Sequence, residues 1–525
     1  MLLITSGAYV ESELFAEFGK IPPAFLPVGN KRLFSYQIAQ FADQYDCVGL
    51  TLPADFQLDE ADAAWLRTRE IGVWPTRPGA SLAEALLQTL QDANCLGRVD
   101  ILYGDTLITD PLPDGSNWLA VGQTDEYYNW YHTGPVDGQP GGTWTGMFSF
   151  ADQALLRHCL AGSDSFIDSV NAYGGAIDGL AHWPVAHWLD FGHVHTYFDS
   201  KRIITTQRHF NQLCVNEGVV TKCSGDSAKV LAEASWFEHA PASVKPFLAP
   251  FISRIETAPC GYQLEYLHLA ALNELYVFGR LPERVWCKIF GACDTYLKAA
   301  RAVPVPGMPD PGVLRHTYLD KTLQRLDAYA AQTQCDLDRP WQLNGVKAPS
   351  LREMAHHAAD AVVSGAVDDA FIHGDLCFSN ILFDFRAGRI KIIDPRGTDA
   401  RGRPTPYGDP RYDIGKLAHS VLGLYDFIVA GCHTLEADGQ ALEFRVLAER
   451  CAPVQARFLA TAFCGRMPHA WDCYPVMVLL FLSMLPLHAD DRRRQQALMA
   501  NGIRLYLEWI SHDHYSDGRT EPALS

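Results

Sequence analysis

Phe371-Ile372-His373-Gly374-Asp375-Leu376-Cys377-Phe378-Ser379-Asn380-Ile381-Leu382-Phe383-Asp384, followed by Ile390-Lys391-Ile392-Ile393-Asp394, is the most informative stretch of this chain. The apolar residues before His373 and after Asn380 predict strands with a loop between them, and Ile390 to Ile393 predicts a further strand ending on an aspartate. Asp375 and Asn380 stand five apart, and Asp394 follows Asp375 by 19 residues. Phosphoryl transfer to a hydroxyl requires such a set: a carboxylate beside the attacking oxygen, and an amide oxygen with a second carboxylate to hold Mg²⁺ against nucleotide phosphates. An isolated His-Gly-Asp also occurs as a turn with a capping aspartate. The Asp375–Asn380 spacing and the strand end Ile392-Ile393-Asp394-Pro395 favour the phosphoryl-transfer reading.

The surrounding chain has 525 residues, which at ~150 residues per domain predicts two or three domains. With 48% hydrophobic and 20% charged residues it can bury large cores. Its net charge of −18 argues against a nucleic-acid-coating protein. Local cations and a metal ion can still bind phosphates. Met1-Leu2-Leu3-Ile4-Thr5-Ser6-Gly7 lacks the basic and long apolar features of a leader and reads as a first strand. The longest apolar run, Tyr474 to Leu487, is 14 residues with two prolines, short of the ~20 of a spanning helix. A buried helix and no membrane insertion are expected. The 14 cysteines include no C-x-x-C pair and are expected to be reduced thiols of a cytoplasmic protein.

Short apolar runs such as Val48-Gly49-Leu50-Thr51-Leu52 and Val99-Asp100-Ile101-Leu102-Tyr103 alternate with helical stretches such as Ser81 to Leu90 up to about residue 202, predicting an α/β domain with a mainly parallel sheet. Strands around 213–215 and 219–223, a helix with Lys229 and Glu233, and a strand from Tyr262 to Tyr266 follow. Beyond Leu267 long helical patterns dominate, broken by the strand-loop-strand segment at 371–394. The proline-rich stretch from Val303 to Pro311 predicts a surface loop or hinge. The boundary is placed near 205, giving domains 1–205 and 206–525, the second with an N-lobe of about 206–268 and a C-lobe of about 269–525.

The 371–394 motif resembles that of the aminoglycoside phosphotransferase and choline kinase family. The resemblance implies an α+β bilobal protein-kinase-like domain using ATP, with Asp375 orienting or deprotonating an acceptor hydroxyl, Asn380 and Asp394 binding Mg²⁺, and His373 bracing the loop. That fold also uses a strand lysine on the phosphates and a helix glutamate to hold it. Lys222 and Glu233 are the expected pair, with Lys229 the competitor for the lysine role. Asn216-Glu217-Gly218 carries one glycine where a phosphate-covering loop is expected. Tyr262-Gln263-Leu264-Glu265-Tyr266 is similar to the hinge strand, so Glu265 and Tyr266 are expected at the purine. Asp413, in Gly408-Asp409-Pro410-Arg411-Tyr412-Asp413, is expected to cap the next helix and support the catalytic loop. Arg396 has two readings, a contact with a phosphate or anionic acceptor and a surface pair. Trp471 and Tyr474 are read as core or as a cage for a quaternary ammonium.

The first domain resembles sugar-phosphate and choline-phosphate nucleotidyltransferases. Gly19 to Leu33 follows their P-K-A-L-L-P-V-x-x-x-P-L segment, and Ile101-Leu102-Tyr103-Gly104-Asp105-Thr106, Thr145-Gly146-Met147-Phe148-Ser149-Phe150 and Trp188-Leu189-Asp190-Phe191-Gly192 follow in the family's order. This implies a GT-A/Rossmann-like α/β fold with Asp105 and Asp190 on Mg²⁺. Two features depart from the pattern: no Arg or Lys stands in Ser6-Gly7-Ala8-Tyr9-Val10-Glu11-Ser12, and Pro23 replaces the motif lysine. Both cations would offset charge built up on the phosphates. Lys20, Lys31 or Arg32 could substitute; otherwise the domain binds a ligand without catalysis. His182, His187, His193 and His195 are read as a metal site or as substrate contacts and packing.

Together the resemblances imply a bifunctional kinase and nucleotidyltransferase. It would phosphorylate a sugar, polyol or amino alcohol with ATP, then couple the phosphate to CTP or another NTP, giving an activated building block for bacterial capsule or lipopolysaccharide. The alternative is a kinase whose N-terminal domain only binds a nucleotide or nucleotide sugar.

Overall fold

The computed structural model describes residues 1–93, 97–124, 142–204, 211–306, 311–365 and 368–516, with backbone only at 211, 212, 311 and 512–516. The expected boundary near 205 and residues 307–310 of the proline-rich stretch lie outside the described residues. Two compact units form: Met1–Thr206 with Phe278–Leu281, and Gln207–Val277 with Pro282–Ser525. A single cut of the sequence does not provide for the four-residue piece in the first unit. Its physical reason is Arg32, 3% exposed, whose guanidinium needs acceptors on every side. It donates to the carbonyls of Phe25 (3.0 Å) and Phe278 (2.7 Å) and pairs with Asp62 (2.9 Å) and Asp59 (3.3 Å).

In the first unit, strands β1 (Leu2–Thr5), β2 (Val48–Pro53), β3 (Gly72–Thr76), β4 (Val99–Tyr103), β6 (Trp118–Gly122), β7 (Thr143–Phe150) and β8 (Ala181–Val185) build one sheet in the order β8-β6-β7-β4-β1-β2-β3. β4, β1, β2 and β3 run parallel, whereas β7 is antiparallel to both neighbours. Short β5 (Thr106–Ile108) and β9 (Trp188–Asp190) pair as a separate antiparallel ribbon. Helix α1 (Leu33–Phe41) precedes β2, and α2 (Leu82–Asp92) starts on a capping box. Ser81 Oγ accepts from the Glu84 N–H at 3.2 Å, and the Glu84 carboxylate accepts from the Ser81 N–H at 2.8 Å. The apolar face of α2, Ala83, Leu86 and Leu90, joins Ile101, Phe148, Phe150 and Leu156 in the core. The carboxyl ends of β1 and β4 lead into Ser6 and Asp105, the edge at which such sheets bind ligands.

In the second unit, β10 (Asn211–Asn216), β11 (Val219–Ser224), β12 (Phe251–Ile255) and β13 (Gly261–Glu265) form an antiparallel sheet in the order β10-β11-β13-β12. Helix α3 (Ser227–Glu238) packs on it, its first turn closed by Asp226 Oδ1 accepting from the Lys229 N–H at 3.1 Å. The remainder is mostly helical: α4 (Lys321–Thr333), α5 (Leu351–Val363), α6 (Pro410–Val421), α7 (Cys473–Met484) and α8 (Arg492–Ser516). The apolar run up to Met484 lies in α7, which the other four surround, and every residue of α7 but Tyr474 is buried; the run ends in the next turn, where Leu487 is exposed. Among the described residues, no helix is long and apolar enough to cross a membrane.

A second four-stranded sheet was not expected here. Trp341–Leu343, Val346–Ala348, His433–Asp438 and Ala441–Val446 form four strands. The alternation Leu442-Glu443-Phe444-Arg445 buries Leu442 and Phe444 and exposes the two charges. That period-two signal lies between helical patterns, which is why the segment reads as part of a helical region.

Candidate active sites

In the first unit, Thr106 lies opposite Asp190 in the β5–β9 ribbon, and the Phe191 N–H donates to the Asp105 carbonyl at 2.8 Å. The turn bearing Asp105 is fixed from behind by Gln37 of α1. Its side-chain amide donates to the carbonyls of Tyr103, Gly104 and Thr106 at 3.0, 3.2 and 2.7 Å. A Cβ at Gly192 would stand 2.9 Å from Asp105 Oδ2 and 3.2 Å from Asp190 Oδ1. Only glycine lets both carboxylates reach that small space. Enclosure by protein, then the charge of Asp190, pushes the Asp105 carboxyl up to about 7. His193 Nδ1 lies 3.5 Å from Asp190 Oδ2, and this contact raises the imidazole pKa against the effect of burial. Two mutually repelling carboxylates suit a hard divalent cation such as Mg²⁺. Asp105 and Asp190 would hold it, and the cation would offset their charge and that of bound phosphates.

The cations weighed as substitutes are placed differently. Lys20 Nζ sits 2.7 Å from Asp55 Oδ2 and 4.3 Å from the Tyr9 ring centroid, while the Tyr9 hydroxyl donates to Asp55 Oδ1 at 2.7 Å. Arg32 is enclosed by the acceptors described above. Lys31 is exposed, its Nζ 5.6 Å from the Tyr36 ring centroid. The four histidines are not gathered into one centre: His187 meets Asp110 at 3.0 Å, whereas His193 meets Asp190. Among the described residues, no group of three or more His, Cys, Asp or Glu side chains is arranged to hold a metal.

In the second unit, Lys222 on β11 faces α3. Its Nζ lies 2.6 Å from Glu233 Oε2 and also contacts Asp394 Oδ1. Tyr262, opposite Lys222 in the sheet, donates its hydroxyl to Glu233 at 3.2 Å. Burial pulls the lysine down, but the two carboxylates outweigh it and its pKa is raised. Asp394 sits at φ +61°, a left-handed conformation held by its surroundings. Gly397, at φ +66°, touches the helix bearing Glu233: a Cβ there would lie 2.4 Å from the Ala232 carbonyl oxygen. The Glu217–Gly218 turn, with both residues at positive φ, closes β10 and β11 as a two-residue hairpin. The N–H groups of Glu265 and Tyr266 are already bonded to the carbonyls of Pro250 and Gly218 at 2.9 and 2.7 Å.

The loop after Ile372 is braced throughout. The buried, neutral His373 donates from Nε2 to the Ile393 carbonyl at 2.9 Å and accepts the Asp375 N–H at Nδ1 at 3.2 Å. Burial lowers its pKa to about 4. The expected cap is Asp409 rather than Asp413: Asp409 accepts from the Arg411 N–H at 2.9 Å. Asp413, in the helix's first turn, instead accepts the N–H groups of His373 and Gly374 at 2.7 and 2.8 Å. Asn380 Nδ2 donates to the Asp375 carbonyl at 2.9 Å and its carboxylate at 3.2 Å. Its side-chain oxygen and the Asp394 carboxylate are hard donors fitted to Mg²⁺, which would neutralise nucleotide phosphates there. Lys416 of α6 holds Asp375 Oδ1 at 2.8 Å. Burial acts upward on Asp375, but Lys416 and Arg396 hold its carboxyl well below the usual range.

No family model and no curated protein match the chain. Solved structures do resemble its N-terminal part. The nucleoside-diphosphate-sugar pyrophosphorylase from Vibrio cholerae RC9 is 16% identical, with a TM-score of 0.32 over 38% of this chain and 100% of that one. The inositol-1-phosphate CTP transferase from T. maritima is 13% identical, with a TM-score of 0.29 over 39% of this chain and 95% of that one. At these identities and TM-scores the likeness assigns no activity.

Lys416, Tyr412, Lys321 and Arg325 were not read from the sequence as site residues, and Gly397 was not read as a contact of the Glu233 helix. Lys416 and Tyr412 lie four apart in α6, one turn of helix, within the segment 408–415 and just after it; that spacing was the available signal. Trp471 is fully buried, its indole N–H donating to the Phe463 carbonyl at 3.0 Å, so it lies in the core and forms no cage.

Proposed function

We propose that the second unit is an ATP-dependent phosphotransferase acting on an alcohol, and that the first binds a nucleotide and transfers its nucleotidyl group to the phosphorylated product. The observation carrying this reading is Lys222 joined to Glu233 and Asp394, together with the braced Asp375–Asn380 loop. Lys222 would hold the nucleotide phosphates, and Asn380 and Asp394 the Mg²⁺. The acceptor oxygen forms its bond to the γ-phosphorus as the bond from that phosphorus to the β,γ-bridging oxygen breaks, and ADP leaves. The hydroxyl proton passes to Asp375. A carboxylate held so acidic by Lys416 is a weak base, so Asp375 orients the hydroxyl and takes the proton late, as a loose transition state allows.

In the first unit, Asp105 and Asp190 with a divalent cation would hold an NTP, CTP among the candidates. A non-bridging phosphate oxygen of the monoester made by the second unit would attack the α-phosphorus as its bond to the α,β-bridging oxygen breaks, and pyrophosphate leaves. The engagement of Lys20 with Asp55 and of Arg32 with Asp59 and Asp62 favours a second reading for this unit, nucleotide binding without transfer. The substrates of both readings, and the free thiols among the described cysteines, fit a cytoplasmic protein.

The test uses the full chain with Mg²⁺, ATP and a library of sugars, polyols, acids and amino alcohols, following ADP, pyrophosphate and product masses. ADP formation lost in Asp375→Asn supports the phosphotransferase; ADP formation unchanged in that variant refutes it. NTP binding without pyrophosphate from any product establishes the second reading for the first unit.

A further inference from the structure

Beside Asp375, cationic side chains from three elements converge. Lys416 and Tyr412 lie one turn apart on α6. Arg396, in the loop after Asp394, donates from Nη2 to the Tyr412 hydroxyl at 2.7 Å, its guanidinium carbon 4.5 Å from the ring centroid. The Tyr412 ring lies 6.1 Å from that of Tyr318, in the turn leading into α4. At the start of α4, Lys321 and Arg325 stand four apart and share a face. Arg325 donates to the Ser483 carbonyl at 3.1 Å.

Apart from Lys416, which pairs with Asp375, these cations lack carboxylate partners. Among the described residues Lys321 makes no hydrogen bond or ion pair, and neither Arg325 nor Arg396 pairs with an acid. The facing acids are Asp375, already held by Lys416, and Asp413, directed at two backbone N–H groups. Tyr412 favours the charged form of Lys321, yet Arg396, burial, Arg325 and Lys416 outweigh it and bring that lysine down to about 7. Burial acts upward on Tyr412, but Arg396, Lys321 and Lys416 bring it down to about 7 as well. Such a group of half-buried like charges is unfavourable by itself and favourable around an anion.

Resting on the phosphotransferase reading, we propose that the acceptor is a hydroxylated anion whose acidic group docks on Lys321, Arg325 and Arg396 while its hydroxyl faces Asp375. A carboxylate and a phosphate monoester share the required chemistry. A cationic amino alcohol does not.

The test compares matched acceptors with the full-length protein, Mg²⁺ and ATP: glycerol, glycerate, glycerol 3-phosphate and ethanolamine in one set, glucose, glucuronate, glucose 6-phosphate and glucosamine in the other. Two charge-assisted contacts predict that an anionic member exceeds its neutral and amine counterparts by about 10-fold or more in kcat/KM. The glycerate and glycerol 3-phosphate arms separate the two anions. Lys321→Met should raise KM for the preferred anion with no change in Kd for a fluorescent ATP analogue, and Lys321→Arg should restore it. ADP release greater with neutral or amine acceptors overturns the inference and leaves the phosphotransferase standing. ADP from no acceptor, with no binding of the ATP analogue, overturns both.

Discussion

Asp105 in the first unit and Asp375 in the second are both half-buried, and their acidities move in opposite directions. Beside Asp105 the strongest charge is another carboxylate, and the proton is held up to about pH 7. Beside Asp375 stand Lys416 and Arg396, and the proton is lost far below the usual range. Desolvation acts upward on both, so the sign of the neighbouring charge decides the outcome. The first site therefore awaits positive charge from outside. The second carries its own.

The largest expected effect sharpens that contrast in the second unit. Asp375→Asn should lower the rate of ADP formation by about 10²–10⁴-fold, the range for a lost acid–base or orienting group. Binding of a fluorescent ATP analogue should persist. Next, Gly397→Ala should abolish ATP binding along with activity. Its left-handed backbone alone costs about 1–3 kcal/mol in a residue with a Cβ, and the new carbon would push on Ala232 beside Glu233. Titration with the ATP analogue checks this.

In the first unit, Asp105→Asn should act in the reverse sense. Without divalent cations it should stabilise that unit by on the order of 1 kcal/mol, because one of two repelling carboxylates is gone. With Mg²⁺ it should weaken NTP binding. Calorimetry with and without Mg²⁺ would break the comparison if stability fell in both. A smaller effect is expected with pH. As pH rises through about 7, Lys321 loses its positive charge and Tyr412 gains a negative one. Asp413, raised by burial to about 7, gains a negative charge in the same range, while Arg325, Arg396, Lys416 and Asp375 keep theirs, so KM for an anionic acceptor should rise from pH 6 to 8 in steady-state assays. Lys20→Ala should change least: its pair with Asp55 is exposed and screened by solvent. Unaltered NTP affinity in that variant would remove Lys20 from the first site.

The second site was legible where its chemistry lies in one short run. His373, Asp375, Asn380 and Asp394 are bound to one another through a loop and two strands, so spacing alone brings them together. Lys222 and Glu233 were readable because a strand and the next helix pack locally. Lys321 and Lys416 are separated by 95 residues, and only the packing of α4 and α6 around α7 makes them neighbours. The parallel core of the first sheet follows from strand–helix alternation, but the reversal of β7 is not written in its residues. Asp409 and Asp413 show a finer limit. Both are aspartates at one helix start, and which one caps depends on where the loop of His373 presents its N–H groups.

The two-residue turn at Glu217–Gly218 bears on kinetics. It offers too little backbone to fold over a triphosphate, and Gly218 already accepts the Tyr266 N–H at 2.7 Å. Under the phosphotransferase reading, phosphate grip then comes from Lys222 and the metal rather than from a closing flap. Departure of ADP would need no segment to swing away, so turnover would follow the speed of bond exchange and the residence time of the cation.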